Sequence, residues 1–216
     1  MTDLPEPEES VARLEAELAL PRGFFRRLLE TEDDWSFVIK LQALVEAALS
    51  HHLRATAPGA TWLAAFPKAR VTDKVKFASA LELFNEGEAY FIRILSEIRN
   101  DFVHDVRKAG MSLVDYVAAM DDKRVEDLRR AIGPGGAVTS KSGVAISEVE
   151  FVRQQPRLAA WMRALFYLAL VYEGRTVILI AKERDAAYFR LAETTIRLSR
   201  LQDEIQARLV PPPEGS

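Results

Sequence analysis

One short run brings together side chains able to move a proton and hold an anion: Ile98-Arg99-Asn100-Asp101-Phe102-Val103-His104-Asp105. A free imidazole titrates near pH 6.5, so at neutral pH it can accept a proton. A guanidinium presents a fork of donors that matches a phosphate or carboxylate. Asn100, one helical turn before His104, can fix the imidazole tautomer or hold the anion itself. The run lies inside a segment of helical period from about Glu88 to Lys108. There Phe91, Ile94, Leu95, Ile98, Phe102 and Val106 form the clearest apolar stripe in the chain. At about 100° per residue the stripe centres about 30° past Ile98, and His104 falls about 150° from that centre. Arg93, Glu97, Asn100, His104 and Arg107 share the far face, and Arg99 lies on the flank. His104 is therefore read as pointing away from the core. On geometry alone, a solvated charged face with His104 in local pairs with Asn100 and Arg107 stays open beside a reactive one.

Other chemistry finds less support. His51-His52 closes the first long helix, but neighbours in sequence do not share a helix face. A metal site there needs two or three further ligands from elsewhere, so neither a metal nor another cofactor is expected. Glu46 lies in the same helix, and nothing in the sequence places it. No G-x-S-x-G or H-E-x-x-H pattern occurs. The glycines of Gly133-Pro-Gly-Gly136 lack the lysine pattern and the preceding strand of a phosphate cradle, so they read as a loop. Trp161, Phe166, Tyr167 and Tyr172 read as core rather than as a base-stacking platform.

The elements that must position Arg99 and His104 are all helical by pattern. Thr31-Glu-Asp-Asp34 reads as a Thr cap with acids at the positive end of a helix dipole. Behind it, Trp35, Val38, Leu41, Val45, Leu49 and Leu53 recur at three- and four-residue steps to about Arg54. A helix is expected over Thr72–Phe84, with Val75, Ala78, Leu81 and Phe84 inward. Gly110 reads as the stop of the Arg99–His104 helix. Ser112-x-x-Asp115 and Ser147-x-x-Glu150 are N-terminal caps, and Asp121 to Ile132 is a short charged helix. Thr176–Ala181 has strand propensity, but its helical flanks favour helix. The class is all-α. Residues 1–9 read as a disordered acidic tail and 210–216 as a second tail. Between them, 10–209 forms a helical domain, with a core over about 31–132, a flexible loop at 133–146 and long C-terminal helices over 147–209.

The 216 residues carry 29 basic and 32 acidic side chains and no Cys. Disulfides, thiolate metal sites and Cys nucleophiles are thereby excluded. A net charge of −3 argues against tight non-specific DNA binding. Locally the balance shifts: residues 51–80 hold Arg54, Lys68, Arg70, Lys74 and Lys76 against Asp73 alone. This stretch reads either as a solvated surface loop or, with Arg107, as a set of candidate contacts to an RNA backbone. The apolar run Leu158–Tyr172 is too short to span a bilayer and contains Arg163, so it reads as a buried core helix. No signal peptide pattern opens the chain, and a cytoplasmic, non-membrane protein is expected.

Arg99-Asn100-x-x-x-His104 resembles the R-x4-H motif of HEPN domains, including the polar residue after the Arg. The run Asp33-Asp34-Trp35 through Leu49 resembles the opening helix of the HEPN branch that includes mannitol operon repressor-like proteins. The resemblance covers about Thr31 to Tyr116. It implies a helical bundle with the motif late in a core helix, and a homodimer that sets two motifs across one cleft. Many HEPN proteins are metal-independent endoribonucleases, often of stress or phage defence. Others are non-catalytic regulators or partners of another protein. On the first reading His104 takes the ribose 2′-OH proton, Arg99 holds the phosphate oxygens, and Asn100 orients one or the other.

Overall fold

The computed structural model describes residues 7–56, 69–136, 138–139, 143, 145–173 and seven helical positions between 183 and 197. The chain divides into two compact units, residues 1–175 and 176–216. Lys68, Thr176–Ala181 and the tail at 210–216 lie outside the described residues.

The first unit is an all-α bundle. Its helices are α1 (Pro7–Glu17), α2 (Phe24–Leu29), α3 (Asp34–Thr56), α4 (Val71–Ala80) and α5 (Glu86–His104). They continue with α6 (Leu113–Ala118), α7 (Asp122–Ile132), α8 (Glu148–Gln154) and α9 (156–173). The strands among the described residues, Val138–Thr139 and Ala145–Ile146, pair antiparallel within the expected loop. Helix α1 begins at Pro7, inside the expected tail, with Pro at the first helical turn, where a missing N–H costs nothing.

Helix α5 is the centre of the bundle and packs against α3, α4 and α7. Asn85 and Glu88 form a full capping box at its start. Phe91, Ile94, Leu95, Ile98 and Phe102 are all buried, as the 3.6-residue stripe requires. Val106 departs from the expectation: it is 87% exposed, because α5 ends at His104 rather than near Gly110. Asp105 leaves the helix at φ −118°, and its side chain accepts from the backbone N–H of Arg107 at 3.1 Å, opening a 3₁₀ turn over Val106–Lys108.

Two other boundaries move for local reasons. The cap of α3 is Asp33, not Thr31: its carboxylate accepts from the Ser36 N–H at 2.6 Å. That bond lowers the Asp33 carboxyl pKa. Helix α4 stops at Ala80, which leaves Leu81 exposed rather than inward.

The start of α3 is tied to distant chain. Asp34 accepts from the Leu113 N–H at 2.6 Å and from Arg157 Nε at 2.5 Å, joining α3 to the starts of α6 and α9. Arg157 Nη1 also donates to the carbonyls of Leu29 and Thr31. Helix α9 buries Ala159, Ala164, Tyr167, Leu168 and Val171, while Met162, Phe166 and Leu170 stand exposed at four-residue steps. The expected core helix is thus buried on one side and exposed on the other. No helix among the described residues is long and apolar enough to cross a membrane. In the second unit, the positions described between 183 and 197 are helical, and Arg197 pairs with Glu193 at 2.9 Å.

Candidate active site

Helix α5 carries Arg99, Asn100 and His104 on its last two turns. Their neighbours Ile98 and Phe102 anchor that stretch in the core, with 6% and 1% exposure. His104 is the last residue of the helix and is exposed. Its imidazole makes no hydrogen bond or ion pair among the described residues. Arg99 is half-buried, and its Nη1 donates to Asn100 Oδ1 at 3.1 Å. Arg can only donate, so the contact fixes which end of the Asn100 amide faces it. Asn100 therefore orients the guanidinium, and it forms no bond to His104. Asn100 and His104 are exposed on the far face of the helix and Arg99 is half-buried on its flank, as the wheel predicts.

Arg107 is placed otherwise than expected. Because α5 ends at His104, Arg107 sits in the 3₁₀ turn and not on the His104 face. Its guanidinium makes two bonds to the Asp105 carboxylate, at 2.9 and 3.0 Å. The same pairing lowers the Asp105 pKa and raises that of Arg107.

The basic stretch also divides. Arg54 lies in the last turn of α3, Arg70 at the N-cap position of α4 and Lys76 on α4, all exposed. Lys74 is a correction: its side chain is 3% exposed, and its Nζ lies 2.7 Å from Glu46 Oε1. A buried, paired ammonium cannot meet an RNA phosphate. The same contact places Glu46, which also accepts from Gln42 Nε2 at 3.0 Å.

Two features near the motif went unread in the sequence. The first is Asp101, whose Oδ2 accepts from Tyr116 Oη at 2.6 Å and Arg124 Nη2 at 3.4 Å, with Lys108 Nζ at 3.6 Å. Partial burial raises its pKa, but the Tyr116 bond and the two cations outweigh that and hold it below its ordinary value. Burial, with the bond to Asp101, pushes the Tyr116 phenol up. An acid inside the motif was the available signal, but its partners come from elements that no local pattern links to it. The second is a groove of about 970 Å³ between α4 and α5, lined by Val75, Lys76, Phe84, Tyr90, Arg93 and Ser96 among others. Tyr90 is held there by Asp127 at 2.6 Å, with Arg93 and Arg130 against its ring at 4.6 and 5.0 Å. Arg93 and Ser96 precede His104 by about 16 and 12 Å along the helix axis.

His51 is exposed and His52 buried, pointing apart as their spacing implies. No group of three or more His, Asp or Glu side chains among the described residues is arranged to hold a metal ion. Compared with family models, with curated proteins and with solved structures, the chain matches none.

Proposed function

We propose that the chain is a HEPN-like homodimer that cleaves RNA without a metal ion, using Arg99, Asn100 and His104. The observation that carries this reading is an exposed imidazole with no side-chain partner at the end of a core helix, whose preceding turn carries a guanidinium bonded to Asn100. His104 takes the proton of a ribose 2′-OH, and the 2′-oxygen attacks the adjacent phosphorus. The P–O5′ bond breaks as the new P–O2′ bond forms; the departing 5′-oxygen takes a proton from water, and the His104 imidazolium returns its proton to the solvent. Arg99 holds the non-bridging oxygens and offsets the charge that grows on them. A second copy supplies the other wall of the cleft that one exposed helix face leaves open.

The test is cleavage of a mixed RNA pool in EDTA by wild type and His104→Ala at equal purity. Wild type is expected to give 2′,3′-cyclic phosphate and 5′-OH ends, and the variant to lose about 10²–10⁴-fold in rate. Equal cleavage by both proteins would remove His104 from the reaction. No cleavage by wild type purified free of other proteins would leave the non-catalytic regulatory reading of the mannitol operon repressor-like kind.

A further inference from the structure

The His104 imidazole has no partner among the described residues, so its position is set by the backbone that carries it. That backbone is the last turn of α5, where carbonyls have no helical partners and ends fray. Besides the buried Phe102 ring, two polar contacts hold this turn. Trp35 Nε1 of α3 donates to the free carbonyl of Phe102 at 3.2 Å. Asp101, one turn before His104, receives Tyr116 of α6, Arg124 of α7 and Lys108 of the 3₁₀ turn on a single carboxylate oxygen. Tyr116 is itself fixed: it is 5% exposed, and its ring packs edge-on against Phe102 with centroids 5.2 Å apart. The Lys108 ammonium also lies 5.2 Å from the Tyr116 ring centroid. The carboxylate is thus held from the core side and joins the turn after His104 to the turn before it.

We propose that Asp101 is a positioning residue that fixes the last turn of α5 and thereby the place of His104 relative to Arg99. The proposal rests on reading Arg99 and His104 as the reacting pair, but the turn can be measured without cleavage. Asp101 enters as a support and not as a reacting group, with its Oδ2 taken up by Tyr116, Arg124 and Lys108. Three of the segments that meet at the motif converge on it, so its loss frees the end of the helix rather than a single bond.

The experiment compares Asp101→Ala, Asp101→Asn and Tyr116→Phe with wild type as full chains, under conditions where thermal melts show each fully folded. The first readout is amide hydrogen exchange at residues 102–105. Exchange there should rise at least tenfold in Asp101→Ala, while the amides of α3 and α7 stay protected. Asp101→Asn keeps an acceptor for the Tyr116 hydroxyl but loses the charge that holds Lys108 and Arg124, so its increase should be smaller. Tyr116→Phe keeps the ring packed on Phe102 and removes only the hydroxyl, and it should loosen the same amides. The second readout is RNA cleavage, in which Asp101→Ala should lose at least tenfold in kcat with KM little changed. Unchanged exchange at 102–105 in Asp101→Ala and Tyr116→Phe would overturn the proposal, whatever the cleavage result. Loosened exchange with an unchanged kcat would overturn it too, because His104 would then not depend on that turn. Loosened exchange in a protein whose wild type does not cleave would support the pin and reject only the nuclease reading.

Discussion

Lys74 Nζ and Glu46 Oε1 meet at 2.7 Å between α4 and α3, with the lysine side chain 3% exposed and the carboxylate side chain 29% exposed. The two ends of this pair are unequal. Removing the acid strands a desolvated ammonium, whereas removing the ammonium leaves a carboxylate that water and Gln42 still reach. Glu46→Gln should therefore cost about 3 kcal/mol, the lower end of the penalty for a buried charge left alone. Lys74→Met keeps the apolar stem and should cost about 1 kcal/mol or less. Urea denaturation midpoints for the two variants decide the matter. A Lys74→Met loss larger than the Glu46→Gln loss would contradict the assigned burial.

That pair also shows where reading the sequence stops. The α5 stripe was legible because Phe91, Leu95, Ile98 and Phe102 can share one buried face only if the segment is a helix. The exposure of Asn100 and His104 followed from the same wheel. Hydropathy places every lysine outward, so Lys74 was read as an RNA contact; its partner lies 28 residues earlier, and only tertiary packing brings the two together. Val106 and Arg107 were misplaced for a local reason. The apolar period runs on past His104, but the Asp105 side chain takes a backbone N–H and turns the chain. Asp34 looked like a dipole acid and is a junction, because the Leu113 N–H and Arg157 reach it from 79 and 123 residues away.

His52 adds a pH dependence to the fold. It is 3% exposed on α3, and its Nδ1 has no hydrogen-bond partner among the described residues. Burial disfavours the imidazolium and pushes the pKa below its ordinary 6.5. The unfolded chain then binds a proton that the folded chain does not, so stability falls as pH drops below about 6.5 and keeps falling until the folded value is reached. One such group contributes at most about 1.4 kcal/mol per pH unit. His52→Leu should flatten the stability curve between pH 6.5 and 5 and change little at pH 8. Equal slopes for wild type and variant, from urea melts across that range, would show that His52 is not held neutral.

The Arg99–Asn100 contact makes the most specific statement about the site. Asn100 Oδ1 accepts from Arg99 Nη1 at 3.1 Å, a neutral acceptor on a cation. It orients the guanidinium without cancelling its charge, so the fork can still serve phosphate oxygens. Asn100→Asp changes that balance while keeping the shape. A carboxylate one residue away competes with phosphate for the same donors, and it repels the scissile group as well. Asn100→Asp should therefore weaken RNA binding by about tenfold or more, equivalent to about 1.4 kcal/mol. Asn100→Ala leaves the charge free but unoriented and should do less harm to binding than Asn100→Asp. Arg99→Lys should recover little, because a single ammonium cannot span two phosphate oxygens. Filter binding of a short single-stranded RNA, at one fixed salt concentration, ranks the three variants against wild type. An Asn100→Asp protein that binds as wild type does would mean that Arg99 does not meet the phosphate. Full binding by Arg99→Lys would mean that charge alone, and not the fork, is what RNA requires there.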